Sequence, residues 1–136
     1  MVRFRMFRIN VEQFAIISDT LPANLIINTS LGFLYSVEGH KIATDMTFEF
    51  NSSSEKAMLL KLKCEFEIHE DDWNSFIKDG LIIVPKDVLE FFVVHTVGTA
   101  RGVLHCKTEG TPFNHIILPP MNVTGLVKED LVIKQE

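Results

Sequence analysis

Cysteine is scarce in this chain of 136 residues, which has only Cys64 and Cys106. With no CxxC pair there is no thiol zinc site or redox motif to read. Each thiol is expected to be a small buried apolar residue in a reducing compartment, without a disulfide. Also absent are a GxSxG elbow, a phosphate-binding GxxxxGK[ST] loop and a GxGxxG turn, so the common nucleophile and phosphate signatures are missing. Basic charge is in short supply, with 13 Lys and Arg against 18 Asp and Glu and a net charge of −5. Little is left to release counterions from a phosphate backbone, and nucleic acid is not an expected partner. Arg3, Arg5 and Arg8 do cluster, but Phe4 and Met6 alternate with them, as on the polar side of a strand. The charge-free stretches Thr20–Val37 and Gly110–Val127 are broken by Pro, Gly, Asn and Ser before the about 20 apolar residues that a helical span needs. Direct membrane insertion is therefore not expected. The start of the chain, Met1-Val2-Arg3-Phe4-Arg5, lacks the apolar core of a secretory signal, which points to the cytoplasm.

What is present is apolar surface, with 46% of positions hydrophobic and 23% charged, the composition of one globular domain over 1–136 that can build a core without staples. From Leu25 the apolar residues fall on odd numbers: Leu25, Ile27, Leu31, Phe33, Tyr35 and Val37. This is the period of a strand with one buried face. After Glu38-Gly39-His40 the alternation resumes on even numbers with Ile42, Met46, Phe48 and Phe50, and after Asn51-Ser52-Ser53-Ser54 with Met58, Leu60, Leu62, Cys64, Phe66 and Ile68. Short links between three strands predict an antiparallel meander. Residues 3–17 predict a fourth strand whose apolar phase shifts between Met6 and Phe7, as at a bulge.

Beyond the sheet, Trp73, Phe76 and Ile77 lie in a connector flanked by Asp71-Asp72 and Lys78-Asp79-Gly80, which carries too much aromatic surface for a solvated loop. Pro85 suits the first position of a helix, with Asp87 and Glu90 at its positive end. Leu89, Val93, Val97, Ala100 and Leu104 then recur at helical spacing. The β-branched and aromatic run Phe91-Phe92-Val93-Val94 also suits a strand; length favours the helix, which Gly110-Thr111-Pro112 is expected to end. Leu118-Pro119-Pro120 predicts an extended loop, and Val123–Glu136 either a short helix or an extended tail. The fold class is thus α+β: a four-stranded antiparallel sheet followed by one long helix and a short C-terminal helix or tail.

For chemistry, the candidates are weak. His40, His69, His95, His105 and His115 offer no pair with metal-ligand spacing on one face, and Glu65, Glu67, Glu70, Asp71 and Asp72 read as solvated acids on an outward face or as a docking patch for a basic partner. No enzyme activity, metal or cofactor is expected. The apolar excess is more informative. Trp73, Phe76, Ile77, Phe92, Val94, Phe113, Ile116 and Ile117 cannot all face a single-layer core, so a homo-oligomer or a shared ligand surface is expected.

Pro85-Lys86-Asp87-Val88, Arg101-Gly102, Gly110-Thr111-Pro112-Phe113 and Leu118-Pro119-Pro120-Met121-Asn122-Val123 occur in an order and spacing that resembles the SecB family of bacterial export chaperones. The resemblance spans about residues 3–127. It implies an antiparallel four-stranded sheet with helices packed on it, a dimer of dimers, and grooves that hold non-native polypeptides without ATP. It implies that Trp73, Phe76, Ile77, Phe113 and Ile116 line the polypeptide groove. It also implies that Asp45, Glu49, Glu65 and Glu67 form the acidic patch that docks the translocase motor ATPase SecA. The chain departs from the family where Val123 replaces an aromatic and too little chain follows for a second long helix. Short connectors of this kind occur in divergent relatives that serve one dedicated client, such as an antitoxin. A non-chaperone, oligomeric interaction module is the rival reading.

Overall fold

The computed structural model describes residues 1–134, and its fold is α+β. Four long strands, β1 (Phe4–Ile16), β2 (Ile26–Ser36), β3 (Lys41–Asn51) and β4 (Lys56–Ile68), form one antiparallel sheet in the order β1-β4-β3-β2. β2, β3 and β4 are the expected meander; β1 crosses to the far edge and pairs with β4. The alternation is realised as the sequence has it. Ile42, Met46, Phe48 and Phe50 of β3 and Met58, Leu60, Leu62, Cys64, Phe66 and Ile68 of β4 are buried, while their neighbours Lys41, Asp45, Lys61, Lys63, Glu65 and Glu67 take the other face. In β1 the register slips between Met6 and Arg8, so Phe7 is the extra residue of the expected bulge, and again between Val11 and Gln13, which the alternation did not reveal.

The connector is not a loop. Helix α1 (Glu70–Ser75) leads into a hairpin of β5 (Ile77–Lys78) and β6 (Leu81–Val84). Asp79 and Gly80 both have positive φ, 52° and 78°, the conformation that two-residue hairpin turns require and that Asp-Gly supplies at little steric cost. β6 also pairs with β7 (Leu131–Lys134), so a small second sheet β5-β6-β7 ties the tail to the connector. Of the tail read as Val123–Glu136, positions 135 and 136 lie outside the described residues; the rest gives one helical turn, α3 (Val123–Leu126), and β7.

The long element is a helix, α2 (Lys86–Lys107), with Pro85 as its extended cap rather than its first residue and with its end at Lys107, before Gly110. The strand-forming residues were overridden by packing: Val88, Leu89, Phe92, Val93, Thr96, Val97, Ala100 and Leu104 all face the sheet and are buried. The Phe92 ring stacks on Phe66 at 4.5 Å, and Phe4 meets Phe92 edge-on at 4.9 Å. The Thr96 hydroxyl is satisfied by donating to the Phe92 carbonyl at 2.8 Å, which lets a polar β-branched residue sit in the core. Pro85 offers no side-chain cap; instead the Lys86 N–H donates to Asp130 Oδ1 at 2.7 Å, from far along the chain.

Cys64 is buried in β4 as expected, and burial pushes its thiol pKa up, against weaker hydrogen-bonding influences of Thr96 and Thr99. Cys106 corrects the expectation, because it lies on the solvent side of α2 and is exposed. Neither thiol is in a disulfide.

Candidate functional site

Once the face of α2 built on Leu89, Val93, Val97 and Leu104 is buried, helical geometry turns Phe91 and Val94 outward. They are 48% and 53% exposed. Two hollows meet at Phe91. The larger, about 660 Å³, has an apolar floor of Val2, Phe4, Pro85, Val88 and Phe91, with Asp72, Ser75, Asp87 and His95 at its edge. The smaller, about 300 Å³, is bounded by Asp87, Glu90, Phe91, Val94 and Val123. Together they form an apolar groove along the first half of α2, crossed by the Phe91 ring and edged by carboxylates. Glu90 Oε2 is buried there without a hydrogen-bond partner among the described residues.

Each wall has a local cause. β1 reaches the groove through Phe4, whose ring packs on Phe66, Phe92 and His95. Its start is pinned to α1 by Arg3, which donates to Asp72 Oδ2 from both its backbone N–H and its Nε, each at 2.9 Å. α1 is capped by His69, whose Nδ1 accepts the Asp71 N–H at 3.2 Å. The two Arg3 hydrogen bonds, side chain first, hold the Asp72 carboxyl below its ordinary value of 3.8. Since the folded value is the lower one, the stabilisation is present above the ordinary value and is lost as pH falls through the depressed one. An Asp72→Asn chain is therefore expected to be less stable than wild type at neutral pH. The two should converge below that window, as acid titrations followed by circular dichroism will read.

Of the residues assigned to a polypeptide groove, Trp73 and Phe113 are 1% exposed and Phe76 is 7% exposed, so all three sit in the core. The Trp73 ring stacks on His40 at 5.4 Å. Ile77 on β5 is partly exposed and Ile116 half-buried. These five are not gathered on one surface. Trp73 lies on α1, which precedes α2 in the chain, whereas Phe113 follows the end of α2. The exposed members of the apolar excess are Val94, Ile117 and Ile77.

Asp45, Glu49, Glu65 and Glu67 do share the outward sheet face, but bases interleave with them. Glu67 meets Arg5 at 2.9 Å, Glu65 meets Arg8 at 3.6 Å and Glu49 meets Lys56 at 2.9 Å, while Asp45 stands opposite Lys63. The three ion pairs are solvent-screened and each worth little alone, while Asp45 Oδ1 is buried without a hydrogen-bond partner among the described residues, so the face is a ladder of mixed charge rather than an acidic patch. Phe91 was legible only as part of an apolar run. Its place shows on a helical wheel, where it lies far from the Leu89–Leu104 stripe.

The described residues contain no group of three or more His, Cys, Asp and Glu placed to hold a metal ion, and no described helix is long and apolar enough to cross a membrane. The chain matches no family model, no curated protein and no solved structure.

Proposed function

We propose that this chain is an ATP-independent holdase that binds non-native polypeptides along the apolar groove of α2. The observation that carries the reading is the exposed pair Phe91 and Val94 between two apolar hollows. Aromatic and aliphatic surface of low shape specificity gains free energy from any unfolded chain that covers it, in proportion to apolar area. The order of the segments from Pro85 to Val123 and the presence of the sheet and long helix that a SecB-like chain implies support the same reading. The groove would serve a range of export precursors or one dedicated client such as an antitoxin. A SecA contact belongs to the export version and would use Asp45, Glu49, Glu65 and Glu67, competing there with Arg5, Arg8 and Lys56. A homo-oligomer, as a dimer of dimers, belongs to the reading too.

The test is light scattering as a chemically unfolded client is diluted from denaturant, with this protein in few-fold excess and no nucleotide. Suppressed aggregation is the expected result. Unchanged aggregation would discard the holdase and favour an interaction module for one folded partner.

A further inference from the structure

The first turn of α2 has no cap of its own. Pro85 carries no side-chain acceptor, and Asp87 Oδ1 serves the N–H of its neighbour Val88, at 3.0 Å. The Lys86 N–H is satisfied instead by Asp130 Oδ1 at 2.7 Å. The pairing of β7 with β6 explains how so distant a residue arrives there. Its register runs from Leu81 opposite Lys134 to Val84 opposite Leu131, and one further step sets Asp130 beside Pro85, where β6 has ended and α2 begins. Ile133, 1% exposed, fixes that register, because a slip of one residue would turn it out to water. The carboxylate also lies at the positive end of the α2 dipole, which favours it there.

The same turn builds the groove. Pro85, Val88 and Phe91 belong to the floor of the larger hollow. Val123, at the start of the segment that ends in β7, bounds the smaller hollow together with Phe91, and the buried Val127 anchors the chain between Val123 and Asp130. Resting on the reading of the α2 groove as the client site, we propose that Asp130 is a positioning residue for it: docking of β7 delivers its carboxylate to the first turn of α2, and that turn holds Val88 and Phe91 in place for a client. Residues 123–134 are then a brace that favours client binding rather than a lid that opposes it. A frayed turn must be rebuilt before a client can use it, so the apparent affinity falls with the fraction of chains in which the turn is formed. By linkage, a client that favours the formed turn favours docking of β7 by the same factor.

Asp130→Ala removes the acceptor at an exposed position, whereas Asp130→Asn keeps an oxygen able to cap. Fluorescence anisotropy with labelled, reduced and alkylated lysozyme, a permanently unfolded chain, should give binding about fivefold weaker for the Ala chain and within about twofold of wild type for the Asn chain. Amide hydrogen exchange in the Ala chain should quicken at residues 86–89 and stay unchanged in the main sheet. Quicker exchange there with client affinity unchanged leaves Asp130 a cap and nothing more, and overturns the proposal; so does tighter binding by the Ala chain, as removal of a lid would give. Wild type alone supplies a second arm. Added client should slow exchange in β7, and exchange there that is unchanged or faster overturns the proposal even if the Ala chain does not fold. A wild type that binds no client overturns the groove and the proposal together, whereas one that binds as tightly as the Ala chain overturns the role of Asp130 and leaves the groove standing.

Discussion

A chain carrying Phe91→Gln and Val94→Gln is expected to fold as wild type does and to lose most of its ability to hold unfolded clients. Both side chains point away from the core and are about half exposed, so little packing is lost, and Gln is a good helix former. Covering the remaining exposed half of a Phe and a Val is worth about 2 kcal/mol to a client, and its loss weakens binding roughly thirtyfold. The measurement pairs a melting temperature with the light-scattering titration: the first stays within a few degrees, and the second shifts to much higher chaperone concentration. Suppression equal to wild type by the double variant would remove the α2 groove from the reading.

Trp73→Ala is expected to do the opposite, striking stability first. The ring is buried and stacked on His40, so its removal leaves a cavity that the sheet and α1 cannot close, at about 3–5 kcal/mol. For a chain of this size that lowers the melting temperature by roughly 10–20 °C. Ile77→Ala, at a partly exposed position on β5, should cost less than about 1 kcal/mol by the same area argument. If Trp73 instead lined an open groove, its loss would leave melting almost unchanged and reduce client binding alone. Thermal unfolding of the two variants side by side separates the cases.

The contrast between Phe91 and Trp73 shows where sequence reading stops. Both are large aromatics in apolar surroundings, and composition assigns each to the core or to a binding surface equally well. Trp73 is buried because α1 turns it toward His40 on the β2–β3 turn, a contact between distant segments. Phe91 is exposed because it lies on the side of α2 opposite the buried Leu89–Leu104 stripe, while its neighbour Phe92 is turned inward onto Phe66. The acids behave alike: Glu65 and Glu67 stand on an outward face as their alternation requires, but their partners Arg8 and Arg5 come from β1, which no local pattern brings alongside.

What the sequence determined by itself is whatever repeats within a few residues. The period-2 runs of β2, β3 and β4, the phase slip at Phe7 and the helical stripe from Leu89 to Leu104 follow from which side chains must leave water, and each is legible over one element. The tertiary structure decided the rest. It settled α2 as a helix against its strand-forming residues, since only a helix presents Val93, Val97 and Leu104 together to the sheet. It paired β1 with β4, and it joined β7 to β6 across the length of α2. These are non-local pairings, stabilised by burial that exists only after the chain has closed, and so they leave no periodic trace in the segments that make them.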